Sequence, residues 1–155
     1  SFCCPHTNKL ISCGTTLNQH ILSREHVPEI FHKCIESQLV EYNYIEWWCN
    51  TSNEGIPRHV DDDIGHRLLT NETHLPLRTY VYYMQVDVLC GGELILFDGD
   101  TDKITHTIQP VENSLIVFDS HIEHTVNEFK GSRVSYALNP WRTRPLSYIE
   151  SSESM

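Results

Sequence analysis

"SLIVFDSHIEHTVNEFKGSRVSYALNPW", Ser114 to Trp141, decides how the rest of this chain is read. It packs the runs "SLIVFDS", "EHTVNEF" and "RVSYALNPW" one after another, rich in β-branched and aromatic residues and too short for helices. Lys130-Gly131-Ser132 supplies a turn signal between the last two. Upstream the same texture continues through "YNYIEWWC", "RTYVYYMQV", "GELILF" and "KITHTIQPV". Asp98-Gly99-Asp100 and Glu112-Asn113-Ser114 mark further turns. A succession of short strands at this spacing predicts a β-sandwich or jelly roll. A helical period appears before the strands, in Val27, Ile30, Phe31, Cys34, Ile35 and Leu39, and predicts a packing helix from Pro28 to Glu41. Residues 1 to about 22 carry little pattern, and the tail "SYIESSESM" is polar. One domain over 1–155 is expected, with the strand core from Tyr42 to Trp141.

Composition narrows the partners. With 39% hydrophobic residues and 10% aromatics the chain is of a globular type. Its net charge of -10 argues against a nucleic-acid backbone as partner, since that contact depends on clustered Lys and Arg. An anionic ligand needs a local positive group to overcome the same field. The six cysteines show neither a CxxC pair nor zinc-ribbon spacing, which suits a reduced, cytoplasmic setting. No signal peptide is visible and no run approaches a membrane span, so no membrane partner is expected.

Chemistry concentrates in "RHVDDDIG", Arg58 to Gly65. Pro57 and Gly65 bracket it and disfavour a helix, leaving a strand end or extended loop. In extended chain residues i and i+2 point the same way, so His59 and Asp61 project together while Asp62 points away. Asp63 shares that parity but lies further on and is the weaker candidate. A third ligand can come from His121 or His124, just after the apolar run of "SLIVFDS". Two histidines and a carboxylate on one face leave coordination positions open, as in non-haem Fe(II) oxygenases. A structural zinc site more often closes with a fourth protein ligand, typically cysteine, and none lies near either stretch. Arg133 in "GSRVSYALNPW" shares strand parity with Ser135, so both can face one cavity, and arginine holds a carboxylate through two parallel hydrogen bonds.

In that order, "HVD", "GGELILF" and "PVENSLIVFDSHIEHTVNEFKGSRVS" resemble the Fe(II)- and 2-oxoglutarate-dependent oxygenases, in particular their prolyl 4-hydroxylase-like branch. The resemblance covers roughly Tyr42 to Trp141. It implies a mainly β fold, a double-stranded β-helix (jelly roll), with His59, Asp61 and His124 as iron ligands and catalytic centre. It makes Arg133 the clamp on the distal carboxylate of 2-oxoglutarate and matches Tyr83 to a tyrosine that shares that carboxylate. Val81 and Leu94 line the cosubstrate pocket on the same reading, beside Ser135. His121 then becomes a surface histidine. Fe(II), 2-oxoglutarate and O2 are the implied cofactors, with ascorbate in support.

The implied reaction hydroxylates an unactivated C–H bond of an amino acid, peptidyl proline or other small substrate while 2-oxoglutarate becomes succinate and CO2. An inactive jelly roll kept for binding or sensing is the alternative from another class, and the intact ligand set and clamp weigh against it. A halogenase lacks the carboxylate ligand, whereas Asp61 is present. "EWWCN" departs from the tyrosine and glycine many relatives carry before HxD, so substrate contacts there differ. "RVSYALNPWRTR" also lacks the spacing of the family's nucleic-acid demethylases. Between Asp63 and Arg78, "IGHRLLTNETHLPL" shows no clear period and is expected to be a loop over the open coordination positions, hinged at Gly65 and Pro76.

Overall fold

Alternation along single strands sets the architecture. The computed structural model describes residues 18–23, 29–36 and 41–146. Along β9 (Phe129–Trp141), Val134, Tyr136 and Leu138 are buried in one cluster with Phe31. Their neighbours Arg133, Ser135 and Asn139 are buried too. A strand buried on both faces must be covered on both. The helix α1 (Glu29–Glu36) contributes Phe31 on one side and a second sheet covers the other.

The first sheet runs β1 (Asn18–Ser23), β2 (Tyr44–Asn50), β9, β4 (Thr79–Gly91), β7 (Ser114–Phe118) in spatial order. The second runs β3 (Ile56–His59), β8 (His124–Val126), β5 (Leu94–Phe97), β6 (Ile104–Ile108). Every pairing is antiparallel. Leu94 and Leu96 of the second sheet pack with Phe118, Val81 and Ile116 of the first, closing the inner core of a jelly roll. The larger aromatic core lies on the outer side, where the Phe31 ring sits 5.1 Å from Trp47 and 5.6 Å from Tyr136. Phe31 is fully buried, and burying such a side chain is worth about 1.5–3 kcal/mol.

Register then places the site. Across β2, β9 and β4, Asn50 pairs with Ser135 and Ser135 with Tyr83, while Trp48 pairs with Ala137 and Ala137 with Val81. These rows belong to the inner face. Opposite them, His59 pairs directly with His124 across β3 and β8. The paired strands β4 and β9 approach closely at Gly131, whose φ of 118° leaves a Cβ only 2.1 Å from the Asp87 carbonyl oxygen. Glycine is required there by both conformation and space.

Four expectations change. Lys130-Gly131-Ser132, expected as a turn between two strands, lies inside β9 and pairs with β4, Gly131 with Val88. The helix expected from Pro28 to Glu41 is described over Glu29–Glu36, and Glu41 is not helical; Pro28 and residues 37–40 lie outside the described residues. Within the stretch that carried little pattern, Asn18–Ser23 forms an edge strand, paired from Asn18 with Cys49 to Ser23 with Tyr44. The segment after Asp63, expected to be a loop, forms helix α2 (Ile64–Thr70). Asp63 caps it by accepting the His66 N–H at 3.1 Å, and Asn71 ends it in the left-handed conformation, φ 60°. Ile64, Leu68 and Leu69 are exposed, so the helix has no buried apolar stripe and no period for the sequence to reveal.

Candidate active site

β3 ends at His59, and Asp61, two residues on and before α2 begins, falls beside it. His59 Nε2 lies 3.1 Å from Asp61 Oδ1. β8 begins at His124, whose Nε2 is 3.7 Å from the same oxygen, and the two imidazole centroids are 4.3 Å apart. With metal–ligand bonds of about 2.1 Å, cis donors on one ion sit about 3.0 Å apart, so this spacing suits a single metal ion. All three donor atoms lie within 4.8 Å of one another. Each imidazole is oriented through its other nitrogen: His59 Nδ1 donates to the Pro57 carbonyl at 2.6 Å and His124 Nδ1 to the Ile122 carbonyl at 3.1 Å. In the neutral imidazoles that turns each Nε2 lone pair toward the centre, where a metal ion could take it; in its protonated form His59 Nε2 instead donates to Asp61.

The electrostatics match this geometry. Burial pushes the Asp61 carboxyl up, but the His59 hydrogen bond, the His124 and His59 charges and the Asn139 hydrogen bond outweigh it and hold the group below the usual carboxylate range. Burial holds His124 below the ordinary imidazole value, which favours the neutral form that ligates metals. For His59 burial acts the same way, yet the Asp61 and Pro57 hydrogen bonds win and raise it.

Asn139 was missed in the sequence. It is fully buried on β9 and donates Nδ2 to Asp61 Oδ2 at 3.1 Å, fixing the carboxylate while Oδ1 of Asp61 faces the histidines. The signal was available: Arg133, Ser135, Ala137 and Asn139 share one strand parity. Trp48 and Asn50, also lining the cavity, share the parity opposite to Ile45, Trp47 and Cys49.

The cavity holding the His–Asp–His group runs inward between the sheets. Val81, Tyr83, Leu94, Arg133 and Ser135 all line it, together with Ile56, Val126 and Ala137. Arg133 is 3% exposed and its guanidinium stacks 4.5 Å over Phe129 and 6.0 Å from Tyr83. Its polar contact to protein is a 3.5 Å hydrogen bond to the Gly92 carbonyl, and its Nε is buried without a partner. Burial lowers its proton affinity, but a guanidinium remains charged in proteins. Burial pushes the Tyr83 phenol up, so its hydroxyl stays a donor at neutral pH.

The remaining candidates fall elsewhere. Asp62 bonds Arg67 at 2.7 Å, and Asp63 caps α2 and accepts the Leu146 N–H at 2.9 Å. His121 is exposed and outside the cluster. The segment 64–77 contributes nothing to the cavity wall: Arg67 pairs with Asp62, Asn71 is a helix cap, and His66 and His74 face Glu72.

Residues 42–142 match the sequence model of the 2OG-Fe(II) oxygenase superfamily. The chain belongs to that superfamily. An uncharacterized PKHD-type hydroxylase of Synechocystis sp. is 29% identical over 134 residues, covering 76% of this chain and 42% of that protein. The chain therefore spans less than half the length of this curated relative. Among solved structures, a Pseudomonas putida prolyl-4-hydroxylase superposes with a TM-score of 0.55 at 17% identity, over 82% of this chain and 72% of that one. A Trichoplax adhaerens prolyl hydroxylase, solved with a hypoxia inducible factor peptide fragment, gives 0.52 at 19% identity over 81% and 63%. These likenesses establish the jelly-roll fold. Membership of the 2OG-Fe(II) oxygenases implies Fe(II) and 2-oxoglutarate, and the donor set of His59, Asp61 and His124 fits a divalent ion with open positions.

Proposed function

We propose that the chain is a 2-oxoglutarate-dependent dioxygenase that hydroxylates an unactivated C–H bond of an amino acid, peptidyl proline or other small substrate. One observation carries this reading: a buried arginine without an acidic partner among the described residues faces the same cavity as a His–Asp–His group. A buried unpaired charge costs several kcal/mol, so the guanidinium is built to receive an anion. In a chain of net charge -10 it is also the local positive group that a dicarboxylate needs.

In this reading His59, Asp61 and His124 hold Fe(II), and Asn139 keeps the Asp61 carboxylate turned toward it. Arg133 pairs with the distal carboxylate of 2-oxoglutarate, Tyr83 donates its hydroxyl to the same group, and Val81, Leu94 and Ser135 pack its carbon chain. Fe(II), when bound with 2-oxoglutarate and O2, supplies the oxidising chemistry that yields succinate, CO2 and hydroxylated product. The protein contributes position, dryness and charge. The apolar walls at Val81, Leu94 and Val126 exclude water, and the neutral His124 keeps its Nε2 lone pair available. Trp48 and Asn50 on the first sheet sit where a substrate approaching the ligand cluster meets protein.

Anaerobic loading with Fe(II) and 2-oxoglutarate, followed by air and a screen of amino acids and proline peptides for succinate release, tests the proposal. Substrate-stimulated succinate is expected, and lost on His124→Ala but kept on His121→Ala. Retention of full turnover by His124→Ala would falsify the ligand assignment.

A further inference from the structure

A second group of ligating side chains stands apart from the first. His66 on α2 and Glu72 and His74 just after it each bring one ligating atom within 4.8 Å of the other two. None of the three lines the cavity of His59, Asp61 and His124. His66 Nε2 is 3.7 Å and His74 Nε2 3.4 Å from the same Glu72 oxygen, and the imidazole centroids are 3.7 Å apart.

These lengths discriminate between two readings. A charge-assisted hydrogen bond between imidazole and carboxylate closes to about 2.7–2.9 Å. Two donors on one tetrahedral ion, each about 2.0–2.1 Å from it, lie about 3.4 Å apart. The His74–Glu72 separation falls at the second value, and the His66–Glu72 separation of 3.7 Å is longer than a hydrogen bond and leaves space for an ion between the groups. His66 Nε2, moreover, is covered by protein and has no hydrogen-bond partner, although its imidazole turns toward Glu72. The outer side is open, with Glu72 70% and His74 48% exposed, leaving room for water as the remaining ligand.

The backbone holds this cradle without help from an ion. Asn71, left-handed at φ 60°, turns the chain back beside α2 and donates its N–H to the Arg67 carbonyl at 2.8 Å. Glu72 N–H reaches Thr70 Oγ1 at 3.3 Å, and Asp63 N–H donates to the His74 carbonyl at 2.9 Å, tying the start of the helix to the end of the turn. Three donors separated by six and two residues thus converge on ordered chain.

We propose that His66, Glu72 and His74 form a second, surface metal site for a borderline divalent ion of the zinc class, which staples α2 to the turn that follows it. Two imidazoles and one carboxylate favour Zn(II) over Mg(II) or Ca(II), which prefer all-oxygen shells. The site is independent of whether the first cluster holds iron.

The metal-free chain titrated with Co(II), read by its visible absorption and by equilibrium dialysis, tests this. Two equivalents are expected for the unaltered chain and one for His66→Ala/His74→Ala, with the Asp61→Ala/His124→Ala chain keeping the equivalent that the first variant loses. Zn(II) should also slow amide hydrogen exchange across residues 64–74 at least several-fold in the unaltered chain and not in His66→Ala/His74→Ala. One equivalent in the unaltered chain that survives His66→Ala/His74→Ala, or unchanged exchange across α2 with Zn(II), overturns the site. If Asp61→Ala/His124→Ala does not fold, the first two titrations still decide.

Discussion

At the scale of single residues, Asn139 and Arg133 carry the most specific consequences. Asn139 holds one Asp61 oxygen, and in the proposed iron site loss of such a partner behind a ligand typically costs about 10–100-fold in metal affinity. Asn139→Ala is expected to weaken Fe(II) binding within that range, measured by anaerobic titration, with secondary structure unchanged. Arg133→Leu removes the charge but keeps apolar bulk in the cavity. We expect at least a tenfold rise in the 2-oxoglutarate KM, consistent with about 2–5 kcal/mol for one partner of a desolvated charge pair. Fe(II) affinity should change little. An unchanged KM with intact turnover moves the clamp off Arg133.

Among elements, α2 and the β4–β9 pair show where backbone chemistry governs. Asp63 caps α2 and ties Leu146, so Asp63→Ala is expected to destabilise by about 0.5–2 kcal/mol, and Asp63→Asn, which can still accept from the His66 N–H, by less. Urea unfolding of the two variants side by side measures the difference, and equal midpoints would show that the cap contributes nothing. Gly131 is a sharper case, because a Cβ there meets the Asp87 carbonyl at 2.1 Å while φ stays at 118°. Gly131→Ala should lower stability by about 1–3 kcal/mol. Gly99→Ala, where an added Cβ meets nothing within 4 Å, serves as the control and should leave the melting temperature unchanged. Arg133, the proposed carboxylate clamp, lies two residues beyond Gly131, so the same strain should raise the 2-oxoglutarate KM.

For the molecule as a whole, two cores share one sheet. Tyr80, Tyr82, Tyr136 and Leu138 face α1, while Val81 and Ile116 face the second sheet. The inner face can therefore spend its positions on His124, Arg133, Ser135 and Asn139, because the outer aromatic core stabilises the sheet that bears three of them. Phe31 links helix to sheet through Trp47 and Tyr136. Phe31→Ala is expected to cost about 3–5 kcal/mol and to lower the denaturant midpoint without touching any ligand. Tryptophan fluorescence and far-UV circular dichroism should shift together. A fluorescence transition that separates from the circular dichroism would show that the outer core unfolds by itself.

What the sequence determined by itself was local and periodic. Alternation in "RVSYALNPW" and "YVYYM" fixes which residues share a strand face, and the one-residue spacer of "HVD" fixes that His59 and Asp61 project together. Helical spacing placed Phe31 in α1, and motif order identified the family. Tertiary structure decided the rest, because those facts depend on register and on caps rather than on period. Residue spacing left His121 and His124 open and the motif resemblance chose His124; the pairing of β3 with β8 is what sets His124 opposite His59 and leaves His121 outside. The β2–β9–β4 registry turns Asn139 toward Asp61 and stacks Tyr83 beside Ser135. α2 escaped notice because a helix with exposed leucines has no apolar stripe, and its ends are set by one aspartate side chain and one left-handed asparagine. Side-chain parity is inherited from the neighbouring peptide bond; which strand lies alongside is inherited from the packing of the whole chain.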